Sequence, residues 1–396
     1  MCYNGVGINS AKGGCPVRCA ILGGAFDPIH SGHVNVAEAV MAVHGFDRVL
    51  LLPSGEPPYK RVQALREERL EMVKLACEGR AGLIPCDLEC ARPGRTYTVD
   101  TLKALKAACP ADEFTYIVGT DALSGLHKWR GLSEIAQMAD FIAVGRPGQV
   151  PEALPEGVRV TLSDIEGPDI SSGLVRRRMA EGGSLEGLAP RSVADYMRKK
   201  GLYLCDFTEP EILEKLKRAI TLHRYHHTLG VADTAQRLAE SCGVDPMRAR
   251  LAGLLHDCAK SLPYGEMRQL VEENVPDADE AELDAEPVLH APAGMVLARR
   301  DYGVRDPAIL QAIRRHTLGG PGMTAMDALI YVSDFIEPGR RPFPGLEETR
   351  ALAERDIFAA MVNAATLSSN YLTSRGKSPH PRTLAILRKS SGGEAE

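Results

Sequence analysis

Two sets of residues in this sequence have the types and spacing to do chemistry. The first is one continuous string, Gly23-Gly24-Ala25-Phe26-Asp27-Pro28-Ile29-His30-Ser31-Gly32-His33. Its paired glycines let the backbone approach a ligand closely. Its histidines at 30 and 33 are three apart, which places both rings at one end of a helix face, where each can donate to a phosphate oxygen. The second set is dispersed: His227, His256, Asp257, His290, His316 and Asp334. Four imidazoles and two carboxylates brought together make the ligand set of a two-metal hydrolase. Two ions about 3.5–4 Å apart lower the pKa of a water between them and clamp the phosphate it attacks. Asp257 is the candidate bridge; His227, His256 and Asp334 complete one ion, His290 and His316 the other. Nitrogen and oxygen donors without thiolate suit iron, manganese or zinc alike.

Phosphate chemistry needs the first string to be a strand, a turn and a helix start. Cys19-Ala20-Ile21-Leu22 is a short apolar run bounded by glycine, which predicts a buried parallel strand ending at Gly23-Gly24. Val34, Val36, Ala37, Val40 and Met41 recur at helical spacing, so a helix begins between Pro28 and Ser31. The free amides and positive dipole end of that helix face the crevice at the strand's carboxyl end. Further strands are predicted at Val49–Pro53, Phe114–Gly119 and Phe141–Val144, each followed by a loop at the same edge. Those loops offer Lys60 as a phosphate contact and Gly119 with Asp121 as nucleotide contacts; a solvated lysine and a helix cap are the plain alternatives. Arg66–Glu78 reads as a packing helix. Arg95–Leu102 opens another, with Thr98 or Asp100 as its cap. Trp129, the one tryptophan, is either core or a platform for a ring. Ile170-Ser171-Ser172-Gly173-Leu174-Val175-Arg176 starts a helix with two hydroxyls and an arginine.

From Asp206 onward strand signals stop and helical patterns follow one another. His227 has Val231, Ala235 and Leu238 at helical offsets, which puts it on the buried face. The apolar helix Ala249–Lys260 buries His256 beside Asp257, and a buried carboxylate is costly unless paired or metal-bound. His290, His316 and Asp334 follow on separate predicted helices with apolar neighbours.

A chain of 396 residues is too long for one ordinary core, and its 44% hydrophobic and 25% charged residues read as soluble and globular. A net charge of -5 argues against nucleic acid and anionic membrane as partners, and no apolar run spans a bilayer. Residues 1–16 are polar and glycine-rich and read as a disordered extension; 391–396 read as a tail. The ten cysteines are too sparse for a disulfide framework, which fits reduced thiols and a cytoplasmic location. A zinc site from Cys15, Cys19, Cys86 and Cys90 is disfavoured because Cys19 falls in the first strand.

The string Gly23–His33, with Ile170–Arg176, resembles the His-x-Gly-His nucleotidyltransferases, most closely the bacterial nicotinate mononucleotide adenylyltransferases. The resemblance runs from about Val17 to Tyr203, where Gly201-Leu202-Tyr203 looks like a short last strand. It implies transfer of AMP from ATP to nicotinate mononucleotide, giving deamido-NAD and pyrophosphate, with Mg²⁺ accompanying ATP. Gly23, Gly24, Ala25, Phe26, His30, His33, Gly119, Asp121, Ile170, Ser171, Ser172 and Arg176 are then the ATP contacts. Thr98 and Trp129 hold the nicotinate, and His30, His33, Lys60 and Arg176 neutralise charge. Ala25, Tyr59 and Gly173 depart from the family pattern of Thr or Ser, His and Thr.

Segments 224–228, 255–260, 316–317 and 333–340 resemble the HD superfamily of phosphohydrolases, in particular its symmetrical dinucleoside tetraphosphate hydrolases. That implies a di-iron centre, Asp257 among the catalytic residues, and Lys260 and Arg340 as candidates for substrate phosphates. The expected fold is an α/β Rossmann-like doubly wound parallel sheet over 17–205, then an all-α HD-domain helical bundle over 206–390. The expected substrates are ATP, nicotinate mononucleotide and diadenosine tetraphosphate; a homo-oligomer is left open. The alternatives are another acceptor for the transferase (phosphopantetheine or nicotinamide mononucleotide), and for the second half another nucleotide or a nucleotide-sensing role.

Overall fold

A computed structural model describes residues 16–57, 62–145 and 157–390. By proximity the chain divides into two compact units: residues through Met179 with Gly183–Met197, and Ala180–Gly182 with Arg198 onward. Residues 1–15 of the expected extension, the tail, Tyr59 and Lys60, and the loop expected after Gly145 lie outside the described residues.

The first unit holds six parallel strands: β1 (Arg18–Gly24), β2 (Arg48–Pro53), β3 (Leu83–Pro85), β4 (Glu113–Gly119), β5 (Ala139–Gly145) and β6 (Val160–Glu166). They lie in the order β3-β2-β1-β4-β5-β6, that of a doubly wound sheet. Central strands of such a sheet are covered on both faces, and Cys19, Ala20, Ile21, Val49, Leu50 and Leu51 are accordingly fully buried. Two strands have no counterpart in the sequence reading, and both lie at edges. β3 is three residues long and ends in Pro85, and β6 has only half-buried and exposed positions, leaving Leu162 exposed. Strand order reverses between β1 and β4, so a crevice opens at their carboxyl ends.

Local corrections concern caps and one strand. The helix Thr98–Ala108 has Tyr97 as its N-cap, with no side-chain cap bond, so neither Thr98 nor Asp100 caps it. The segment 201–203 forms a turn, not a strand: Gly201 and Tyr203 take positive φ, 63° and 62°, which a ladder does not accommodate.

The described residues of the second unit form helices joined by turns and loops, with no strand among them. Asp245, Asp306, Thr324 and Asp356 cap successive helices by accepting backbone amides, and Pro246 and Pro307 take first-turn positions whose N–H is not needed. The closest pairing is between the helices Leu222–Ala239 and Pro246–Leu255. A Cβ on Gly253 would stand 2.7 Å from the Cα of Ala232, so only glycine allows the two backbones to approach this far. Among the described residues no helix is long and apolar enough to cross a membrane, and the described cysteines form no disulfide.

Candidate active sites

In the first unit the glycine turn is held from beneath. Phe26 is buried with φ 47°, and the buried carboxylate of Asp27 accepts from the amides of Gln63 (2.8 Å) and Ala64 (3.0 Å). Arg69 lies in the helix read as packing only, yet it is 1% exposed and donates to the carbonyls of Ala25, Ser54 and Gly55, each at 2.6 Å. It locks the β1 and β2 loops together. Its signal in the sequence is an arginine on the apolar stripe beside Met72 and Val73.

His30 is the extended N-cap of the helix Ser31–His44, so only His33 is helical. Their rings nevertheless stack, with centroids 3.6 Å apart. The His30 amide donates to Nδ1 of His33 at 3.3 Å, which leaves Nε2 of a neutral His33 as the N–H that can face a phosphate.

Two cavities meet at His33. One, about 120 Å³, is lined by His30, Gly32, Gly119, Gly145 and Ile170; the other, about 420 Å³, by Gly23, Gly24, Thr98, Gly119, Asp121 and Trp129. Trp129 stands edge-on to Tyr116 (5.5 Å) and Phe141 (6.2 Å), half-buried against the core and open to the larger cavity. Gly23 leaves room for the Tyr116 hydroxyl, which bonds with Thr98. Asp121 lies in the larger cavity with Thr98 and Trp129. Ser171, Ser172 and Arg176 line neither: the Ser171 hydroxyl accepts from the Leu174 amide, Ser172 donates to the Pro28 carbonyl (2.9 Å), and Arg176 donates to the Asp27 carbonyl. Ala25 contributes its carbonyl to Arg69. Glu89, not singled out from the sequence, is buried in the larger cavity's wall, accepting from Thr96 (2.7 Å) and Thr101 (2.9 Å). Burial raises its carboxyl above the ordinary range, against those two hydrogen bonds.

In the second unit the six candidate ligands converge. Asp257 presents one oxygen to each side. Oδ2 lies 3.4 Å from Nε2 of His256 and 3.8 Å from Nε2 of His227, while Oδ1 lies 3.1 Å from His290 and 3.7 Å from His316. Asp334 joins the first group, 3.0 Å from His227 and 4.0 Å from His256. His227–His256–Asp257 and Asp257–His290–His316 are each compact enough to hold an ion.

Each element delivers its ligand for a local reason. His256 and His316 stand at helix C-termini, where each Nδ1–H donates to the carbonyl three residues back, Gly253 or Ile313, at 2.7 Å. Nδ1 of His227 donates to Glu337 at 3.1 Å. A carbonyl or carboxylate can only accept, so each Nδ1 carries a hydrogen and each ring turns its Nε2 inward. Burial alone would lower the His256 pKa, but the Asp257 and Asp334 charges carry it upward. The inward Nε2 atoms of His227 and His256 are buried without a hydrogen-bond partner. Burial opposes ionisation of Asp257 and Asp334, but nearby histidines hold both carboxyls below the usual range, aided at Asp334 by Arg340. Burial draws His290 down to about 4, so it stays neutral. Unpartnered inward nitrogens, ionised carboxylates and fixed tautomers fit divalent cations.

Lys260 donates to the Pro287 carbonyl (3.0 Å) and lies 2.9 Å from Nδ1 of His290. Arg340 meets Asp334 at 2.5 Å. Two residues went unassigned in the sequence. Arg224 pairs with Asp257 at 2.8 Å, and Glu337 is fixed by His227 and by the Gly339 amide. Both stand inside the segments quoted for the HD resemblance, but nothing local marks their partners.

Comparison with known proteins agrees with this division. Residues 21–178 match the cytidylyltransferase-like family and residues 224–361 the HD domain family. A Dehalococcoides mccartyi protein named "Probable nicotinate-nucleotide adenylyltransferase" is 39% identical over 47% of this chain and 97% of its own length. A Bacillus subtilis protein named "Bis(5'-nucleosyl)-tetraphosphatase, symmetrical" is 43% identical over 44% of this chain and 92% of its own. The chain belongs to both families, one in each half. The transferase-family half supplies the glycine turn and histidine pair, and the HD half supplies the clustered histidines and aspartates. A Desulfatibacillum aliphaticivorans relative, also named "Probable nicotinate-nucleotide adenylyltransferase", is 36% identical over 48% of this chain and 100% of its own length.

Proposed function

We propose that the first half transfers AMP from ATP to nicotinate mononucleotide, giving deamido-NAD and pyrophosphate, and that the second half hydrolyses diadenosine tetraphosphate to two ADP. The observation that supports the transferase reading is the place of His33, on the wall common to both cavities. An adenosine in the smaller cavity and a mononucleotide beside Trp129 and Thr98 meet at its Nε2. The acceptor's phosphate attacks the α-phosphorus of ATP and pyrophosphate leaves, so no protein nucleophile is needed. His30 and His33 align the phosphates and offset their charge; Arg176, which lines neither cavity, and Lys60 would join them on the triphosphate, and Mg²⁺ would enter with ATP.

For the hydrolase reading the supporting observation is Asp257, whose two oxygens face two separate histidine groups. His227, His256 and Asp334 would hold one ion and His290 with His316 the other, with Asp257 between them. Iron, manganese and zinc all suit these donors. Divalent ions held there supply Lewis acidity toward a phosphate and toward the attacking water. Arg224, Lys260 and Arg340 ring the cluster with positive charge that a polyphosphate can use.

Paired variants of the full chain test both halves. His33→Ala is expected to cut pyrophosphate release from ATP and nicotinate mononucleotide by at least about 100-fold, the usual cost of one preorganised donor. It leaves tetraphosphate hydrolysis intact. Asp257→Ala is expected to abolish hydrolysis and metal retention and leave the transferase intact. Undiminished turnover in either variant, or better turnover with phosphopantetheine or nicotinamide mononucleotide as acceptor, contradicts the corresponding assignment.

A further inference from the structure

Beside the metal-ligand cluster of the second unit lies a cleft of about 970 Å³, with His227 and Glu337 on its inner wall and Arg341 and Phe343 among its other lining residues. That volume is at the upper end for small-molecule sites, large enough for a nucleotide in addition to the phosphates at the metals.

The charges around the cleft are mostly committed. Arg224 and Arg340 are paired with Asp257 and Asp334. Of the acids in the wall, Glu337 is bonded to His227 and the Gly339 amide, and Asp233 is paired with Arg250 at 2.6 Å. Arg341 is exposed and pairs with no acid among the described residues, so its guanidinium stands in the cleft without a counter-ion. Phe343 is 38% exposed, its ring braced edge-on by Phe335 at 5.3 Å. A free guanidinium and a braced, exposed aromatic face are the two groups that bind a phosphate and stack a base.

We propose that Arg341 and Phe343 form a distal subsite for the nucleoside phosphate on the far side of the scissile bond. Arg341 takes a phosphate outside the metal pair and Phe343 stacks the base. The subsite selects a substrate with a nucleotide at both ends of its phosphate chain. This rests on the hydrolase reading above and deepens it.

The test uses the full chain loaded with metal, as wild type, Arg341→Ala, Arg341→Lys and Phe343→Ala, with diadenosine tetraphosphate as probe. KM is expected to rise about tenfold in each alanine variant, the equivalent of about 1.4 kcal/mol, with kcat within twofold and metal content unchanged. Arg341→Lys restores most of the loss. Because both side chains are exposed, folding is expected to be preserved. Unchanged KM in both alanine variants, with wild type active, overturns the subsite and leaves the hydrolase reading standing. If wild type turns over no tetraphosphate, the hydrolase reading fails. The subsite is then read from the concentration of diadenosine tetraphosphate that protects the second unit from heat: a tenfold increase in the alanine variants supports it, and equal protection overturns it.

Discussion

Glu337 fixes the tautomer of His227, and a carboxylate on the far nitrogen of a metal-binding imidazole strengthens it as a ligand. Glu337→Gln keeps an acceptor but removes the charge. Metal affinity, measured by competition with a chelator, is expected to fall by roughly 10-fold or more; an unchanged affinity means Glu337 only packs. Glu89 gives a different signature because its perturbation comes from burial. Its folded-state pKa lies above that of an ordinary carboxyl, so the folded state binds the proton more tightly than the unfolded chain. The stability this lends is complete below the unfolded chain's pKa and is lost as pH rises through the folded one. Above it the wild type carries a buried charge that glutamine lacks. Glu89→Gln is therefore expected to raise the melting temperature of the first unit relative to wild type, with a difference that grows as pH rises above the ordinary carboxyl range. A difference independent of pH contradicts the assignment.

Among the elements, the contact between helices Leu222–Ala239 and Pro246–Leu255 sets the separation of His227 and His256. Backbone lies against Gly253, and a backbone atom cannot swing aside as a side chain can. Gly253→Val is expected to cost about 1–3 kcal/mol, the range for overpacking, and to reduce bound metal along with stability. Denaturant midpoint and metal stoichiometry read the two effects. A variant that keeps full metal content shows that the helix spacing does not position the site. Glycine has a second use at this pair of candidate ligands: a Cβ on Gly230 would stand 2.7 Å from Oε2 of Glu337, so the missing side chain makes room for the carboxylate that orients His227. In the first unit Arg69 plays the comparable part, joining two loops of the crevice from one buried guanidinium.

Across the whole molecule, two units with separate cores are expected to respond separately to loss of metal. A ligand that binds only the folded state stabilises it by about 2.7 kcal/mol at a concentration 100 times its Kd. Chelation is therefore expected to lower the melting transition of the HD unit and leave that of the sheet-containing unit in place. Calorimetry of the full chain with and without chelator checks this, and a joint shift of both transitions contradicts it. Nucleotides have the complementary effect: ATP is expected to protect the first unit whether or not metal is present in the second.

What the sequence alone determined was local. A strand ending at Gly23-Gly24, a helix following Pro28, apolar runs at β2, β4 and β5, and a change to helical periodicity after Asp206 all follow from neighbours a few residues apart. Residue type also named a candidate ligand set, since buried histidines and aspartates on apolar helices need partners. Tertiary structure decided the rest. Edge strand β3 is too short for a periodic signal, and β6, with no buried position, mixes apolar with polar residues, so neither announces itself in the sequence. The partners that orient the site lie far along the chain: Glu337 is 110 residues from His227, Arg224 is 33 from Asp257, and Arg69 is 44 from Ala25. No periodicity links such pairs. They meet because burying a polar group requires a partner, and only the folded chain brings one within reach.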